Sequence, residues 1–369
     1  MNFSVPDLDM LFTPSDSDLL LTLIWILPLF IFVMYGQRIQ LSVTSREIKK
    51  NIEKLYILRK ESRKQLAEYA NSVHKGSSEN ASLLADYFTV FPIDMDPTGL
   101  VPKVRHLMRS KEDAIRTRIT NILPDADEVQ ISKMQTLVEL AISLQMIHKM
   151  VNHLFLTAKK QHNYPLILPL QMVLPTVMEE AQAMYDALEA FNLGQPIGDG
   201  IGPFVTAKMM YGLERINASK ETDMCRTKID GRNVCIIKAR GPMSNVGRIA
   251  DAIDFAISKY GKPSAIITVD AAKKLEGEDT GEIARGFGIA MGGIGTERFQ
   301  IEETATNLGI PMHAVVVKQS IKESLTLMTK EISDTMNDTL MQTRHALQET
   351  VPNGGDAIII GVGNTSGVP

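Results

Sequence analysis

Two aspartates stand where a glycine turn and a strand end could present them. Asp199 lies in "PIGDGIGPFVTAKMMYGL" (196–213), and Asp270 closes the apolar run "SAIITVDAA" (264–272). Two carboxyls held in one crevice cannot both ionise easily, so one keeps a proton while the other activates water. Each also has a plainer reading. Asp199 at a helix start is favoured by capping and by the helix dipole, and Asp270 can cap the turn that follows its strand. Two more glycine turns compete for the same place, "GFGIAMGGIGTERF" (286–299) and the "GVGN" of the terminal "GDAIIIGVGNTSGVP" (355–369). Their backbone N–H groups suit a developing oxyanion. The candidate loop residues are therefore Gly198, Gly200, Gly292, Gly293, Gly295, Gly361, Gly363 and Asn364.

The elements that must position these residues begin near Gly198. Short β-branched runs, "NVCIIKA" (233–239), "SAIITVDAA", "PMHAVVVK" (311–318) and "DAIIIGVG" (356–363), alternate with helices such as "VGRIADAIDFAISKYG" and "RFQIEETATNLG". That alternation predicts an α/β fold with a doubly wound, mostly parallel sheet and right-handed crossovers. In such sheets, sites form beyond the carboxyl ends of the strands. The last run is a buried strand and a glycine turn with no helix after it.

"ITVDAA", then "GFGIAMGGIGTER", then "ETATNLGIPMHAVVVKQSIKES" resemble the core of the germination (spore) proteases. The same superfamily includes the hydrogenase-maturation proteases, which open with a strand and a "GxGN" turn followed by a "D-x-(I/L)-G-P" helix start. Here "IIIGVGN" is at the C-terminus and "GDGIGP" opens the domain, so over 196–369 the chain resembles a circularly permuted member. Nearby domain termini make such a rearrangement physically easy. The resemblance implies that the helix expected after Asn364 is the one beginning at Ile201. It also places the family's two acidic positions on Asp199 and Asp270, a pair implicated in catalysis in the spore proteases. In the maturation proteases the matching acids join a histidine around a metal. No histidine lies in 286–299, His313 sits inside a strand, and Gly198 occupies the place of a common second acid. No cofactor is therefore expected, while a divalent metal at Asp199 and Asp270 stays open, without a histidine ligand. The whole chain also resembles an archaeal membrane-anchored family of about this length, which implies no function.

The N-terminal half supplies a different signal. Leu19–Gln37, "LLLTLIWILPLFIFVMYGQ", carries no charge and is long enough to span a bilayer core of roughly 30 Å. Acidic Asp7, Asp9, Asp16 and Asp18 precede it, with no basic n-region, which favours a retained anchor over a cleaved signal peptide. Arg38, Arg46, Lys49, Lys50 and Lys54 follow it, so the positive-inside rule predicts a single-pass cell-membrane protein with the bulk of the chain cytoplasmic. Cys225 and Cys235, the two cysteines of the chain, fit a reducing compartment. The expected divisions are a short extracytoplasmic tail (1–18), an anchor (19–37), a juxtamembrane helix (38–74), a helical domain (83–194) and the α/β domain (196–369).

Along 41–73, Leu41, Ile48, Ile52, Leu55, Leu66, Tyr69 and Val73 recur at three- and four-residue steps, interrupted by Ser45, Arg59 and Ser62. This seam either makes a homo-oligomeric coiled coil or packs on its own domain. "YPLILPLQMVLPTVMEEAQAMYDALEAF" predicts a buried helix entry broken by Pro169 and Pro175. His148 and His153, five apart, do not share a helix face well enough for one metal. The net charge of −4 leaves no basic footprint and argues against a nucleic-acid partner.

Three functions follow. The first is a membrane-tethered hydrolase, peptidase-like, acting on a protein or peptide through Asp199 and Asp270. The second is a non-enzymatic scaffold or peptide-binding protein that keeps the same fold. The third is a nucleotide-binding module, for which the G-x-G-x-x-G and G-x-x-x-x-G-K-[ST] spacings are missing.

Overall fold

The computed structural model describes residues 16–87, 97–160, 167–292 and 295–369. The chain divides into two compact units, residues 1–54 with 150–175, and residues 55–149 with 176–369.

The first unit holds the opening of α1 (Asp16–Val73), the end of α4 (Glu128–Lys160) and the start of α5 (Ile167–Leu193). Its buried side chains include Ile48, Ile52, Val151, Phe155, Ile167 and Leu174. Thr44 Oγ1 donates to Gln171 Oε1 at 3.3 Å. The entry to α5 is not buried as expected, since Met172 is 81% exposed and Leu168 and Val173 are also exposed. Helical geometry explains this: Ile167 and Leu174, seven apart, share the covered face, whereas Leu168 and Met172 point elsewhere. The expected anchor 19–37 falls on helical backbone, but the side chains of 16–25, 29 and 31–41 lie outside the described residues, as does the tail 1–15. Among the described residues, no helix is long and apolar enough to cross a membrane.

In the second unit a helical layer and a sheet build on one another. The end of α1, α2 (Ser78–Leu84), α3 (Pro97–Ile122), α4 and α5 enclose a core that includes Leu66, Ile119, Met134, Leu137, Leu188 and Phe191. Tyr69 and Val73 pack against it, so this end of the 41–73 seam is covered by its own chain. Two of the polar interruptions have partners. Arg59 Nε donates to Gln145 Oε1 at 3.0 Å, and the buried Ser62 hydroxyl donates to the Arg59 carbonyl at 2.9 Å.

After a 3₁₀ turn (Gly198–Gly200) and α6 (Ile201–Met209), the remaining strands are β1 (Ile216–Ser219), β2 (Thr222–Ile229), β3 (Arg232–Ala239), β4 (Ala265–Lys273), β5 (Ile283–Phe287), β6 (Met312–Gln319) and β7 (Asp356–Gly361). They form one seven-stranded sheet in the order β1-β2-β3-β7-β4-β6-β5. The four central strands, β3, β7, β4 and β6, are parallel, and β1, β2 and β5 add antiparallel edges. The sheet is thus more mixed than expected. The helices α7 (Ile249–Tyr260) and α8 (Thr296–Leu308) share one apolar layer with Ile237, Ile266 and Ile358. After the short α9 (Ile321–Leu325) and α10 (Lys330–Asp334), α11 (Met336–Thr350) shares the other with α6, Ile236, Ile267 and Ile359. Successive strand residues alternate between the two faces, so the uninterrupted isoleucines of β7 serve both.

Cys225 and Cys235 are free and buried in opposite layers. A more unusual buried group is Lys238, which is fully enclosed and donates from Nζ to the Ala239 carbonyl at 3.0 Å. Burial, reinforced by nearby Arg215, pushes its amine down to about 8. The unfolded chain therefore binds more protons than the folded one between about pH 8 and 10.5, and stability rises with pH through that window. Lys238→Met is expected to stabilise the fold at neutral pH by roughly 2–3 kcal/mol. Urea unfolding at several pH values should show that gain shrinking as the pH passes from 8 towards 10.5.

Candidate functional site

The last strand lies at the centre of the sheet, between β3 and β4. Its turn meets the opening of the α/β domain: the Asn364 N–H donates to Asp199 Oδ2 at 2.8 Å. The approach is close because the residues at the junction are small. A Cβ on Gly202 would collide with the carbonyl oxygens of Val269 and Val362, and one on Gly363, at φ +130°, would strike the Asp199 carbonyl. Gly361 packs just as tightly on Gly202 and Thr206, and Gly200 on the Asn364 carbonyl. Gly198 is wedged against Glu323 and the Gln319 side chain, with its N–H donated to Thr326. Gly198, Gly200 and Gly361 are therefore spacers behind the site.

Asp270 occupies the carboxyl-terminal part of β4 and is 4% exposed. Its Oδ1 accepts the Ala271 N–H at 2.7 Å. Asp199 and Asp270 line one cavity of about 310 Å3, together with Gly292, Gly295, Gly363 and the start of α8. That volume is at the lower end for small-ligand pockets, roughly 300–1,000 Å3. Gly293 lies outside the described residues. Burial pushes the Asp270 carboxyl well above the usual range and the charge of Asp199 pushes it further, opposed by the Ala271 amide. Asp199 is half-buried, reached through the cavity but closely enclosed by protein. Burial raises its carboxyl too, while the Asn364 amide favours the charged form.

The oxyanion loops differ from expectation. The Asn364 N–H is already held by Asp199, the Ala290 N–H by Thr268 Oγ1 at 3.2 Å, and the Gly288 N–H by the Met312 carbonyl. Gly286 belongs to β5. The α8 N-terminus also presents backbone N–H groups at this edge, where Gly295, at φ +84°, offers no capping side chain.

Helical-layer residues absent from the sequence reading complete the cavity. Met108 and Glu112 of α3 line it alongside Glu297 of α8. Arg109 donates to Glu297 Oε1 at 2.8 Å and to Asp251 Oδ1 at 3.0 Å, and Glu297 Oε2 accepts the Ala250 N–H at 3.1 Å. This clamp joins α3, α7 and α8. Burial raises the Glu112 carboxyl, with Arg248 opposing and Asp113 adding. Nothing in the hydrophilic run "KVRHLMRSKEDAIRTR" marks Glu112 as cavity-facing.

Among the described residues, no three His, Cys, Asp or Glu side chains converge as the ligand set of a zinc ion would. His313 instead lies against the Phe287 ring, centroids 5.4 Å apart, and His148 against Tyr56 at 5.7 Å.

Fold and site together define a two-faced α/β domain, joined to a helical layer, with a half-buried and a buried aspartate at the carboxyl edge of its sheet. Family models described as the N-terminal domain of a protein of unknown function (DUF1512) and the DUF1512 C-terminal domain match residues 22–194 and 197–369. The chain belongs to the DUF1512 family. No curated protein and no solved structure matches it.

Two outcomes follow for stability. Gly202→Ala should destabilise the fold by about 3 kcal/mol, because its Cβ meets two strand carbonyls that cannot yield. Asp270→Asn should stabilise it at neutral pH by roughly 1–3 kcal/mol, the scale for relieving a buried, poorly compensated polar group. A carboxyl whose pKa is raised by folding loses stability as pH climbs from its unfolded value through its folded one. Denaturant titrations should therefore show the asparagine's advantage at pH 7 vanish near pH 3.

Proposed function

We propose that this chain is a membrane-tethered hydrolase that cleaves amide bonds in proteins or peptides, with Asp199 and Asp270 as its acid–base pair. The observation that carries the reading is their placement: two enclosed carboxyls, both displaced upward, line one cavity at the carboxyl edge of a parallel strand pair. Their environments separate their roles. The Asn364 amide supports negative charge on Asp199, which in turn keeps Asp270 protonated. Asp199 thus takes a proton from water as it attacks the carbonyl, while Asp270 gives its proton to the carbonyl oxygen. Asp199 then passes the proton it gained to the leaving amine, and Asp270 recovers its own from the tetrahedral intermediate as the C–N bond breaks. The uncapped α8 N-terminus adds N–H groups for the oxyanion.

The junction of β7 with the entry to α6 supports the likeness to a circularly permuted spore-protease or maturation-protease domain. The uncharged run 19–37, on helical backbone and followed by basic residues, supports the tether and the cytoplasmic placement of the domain. A second reading, a peptide-binding scaffold without turnover, is favoured by one feature: Asp199 Oδ2 is engaged in a structural bond that would hold the fold even without chemistry.

Incubation of the full-length protein with a defined peptide mixture, read by mass spectrometry, separates the two. Asp199→Asn and Asp270→Asn should each lower cleavage about 10²–10⁴-fold, the usual contribution of a general acid or base, with the fold retained. Wild-type protein that cleaves nothing, or variants that cleave equally well, would contradict the hydrolase.

A further inference from the structure

A second cavity of about 100 Å3 lies on the other side of Asp199. It is bounded by Ala271, Ala272 and Lys273 at the end of β4, by Gln319, and by Ile321 and Ser324. Strand alternation puts Gln319 on the face of Val315 and Val317, the α6 side of the sheet, whereas Asp270 shares the α7 and α8 side with Ile266. Asp199 therefore stands on the lip of the sheet with one cavity on each face.

Gln319 is the unusual residue here. It is 1% exposed, yet neither Nε2 nor Oε1 has a hydrogen-bond partner in the protein. A buried polar atom left unpaired is unfavourable, and a leucine would fill the same space without that penalty. Its Oε1 lies against Gly198, where a side chain would displace it, so the turn carrying Asp199 also makes room for this amide. A primary amide offers one donor and one acceptor side by side, the complement of the C=O and N–H of a peptide group. The cavity exceeds the roughly 30 Å3 that one liquid water takes, leaving space for such a group.

We infer that Gln319 is a substrate-binding residue that takes a backbone amide of a peptide chain in this second cavity, beside the bond that Asp199 and Asp270 attack. Its place beside the reacting bond rests on the hydrolase reading above; its recognition of a peptide amide does not. The peptide then runs across the lip of the sheet, past Asp199, and fills a cavity on each face. Recognition of a main-chain group makes this subsite indifferent to side-chain identity, so sequence preference falls to the larger cavity.

The test uses the full-length protein carrying Asp270→Asn, which removes turnover from the measurement. Binding of N-acetyl-trialanine amide is followed by saturation-transfer NMR, beside an analogue in which the central amide is replaced by an ester. Gln319→Leu is expected to weaken the amide probe about tenfold, the scale of a lost hydrogen-bonded pair. The ester should bind the parent equally weakly, and the leucine variant should not distinguish the two probes. The same variant should melt at or above the parent temperature. The inference is overturned if the parent does not bind the amide probe at millimolar concentration or binds both probes alike. A leucine variant that binds like the parent, or that melts lower, also overturns it, the latter revealing a structural amide. Cleavage by the wild-type protein is read separately and bears only on the hydrolase.

Discussion

The Asn364 amide and the Asp199 carboxylate meet at 2.8 Å across 165 residues of chain. The geometry of the candidate site depends on that contact. Parallel ladders seat β7 between β3 and β4, and the contact joins the turn after β7 to the 3₁₀ turn that leads into α6. It also fixes the direction of the Asp199 carboxyl. The contact is possible because Gly202, Gly361 and Gly363 let three backbones approach more closely than any side chain would allow. The glycines thus determine where the acid stands, and the strand order determines which other acid it faces.

The same region accepts several energetically unfavourable groups at once. Asp270 is nearly inaccessible with a like charge close by, and the Gln319 amide is enclosed without a partner. A sheet lip optimised for stability alone would carry asparagine and leucine at these positions. Lys238 is a similar case on β3, yet it lines neither cavity that Asp199 borders, and the structure gives no functional account of it. The distinction is geometric: Asp199, Asp270 and Gln319 line cavities at the sheet lip, and Lys238 lines neither of them.

Much of this was readable in the sequence because local pattern and topology agree. The four β-branched runs are the four parallel strands, and the glycine turns at 198–202 and 361–364 announced where backbones would cross. The antiparallel edges were missed because β1 and β5 are only four and five residues long and β2, "TDMCRTKI", is rich in polar residues. Even so, Asp230 and Gly231, both at positive φ between β2 and β3, are the Asp-Gly pair of a tight hairpin. Glu112 and Arg109 were not readable, since a hydrophilic helix gives no sign of which charged face meets a cavity. Gln319 was hidden for the opposite reason: one polar residue ending an apolar strand resembles any strand that reaches solvent, and only the cover of Gly198 and α9 (Ile321–Leu325) buries it.

The proposed chemistry requires one proton shared by the two carboxyls, and carboxyl-carbon NMR of aspartate-labelled protein, titrated with pH, tests this directly. Assignment uses the spectra of the Asp199→Asn and Asp270→Asn proteins. The account predicts two linked titrations, with the Asp270 step displaced far above the ordinary aspartate range and moved down when Asp199 is neutralised. Two independent titrations near pH 4, each unaffected by loss of the other acid, would contradict it.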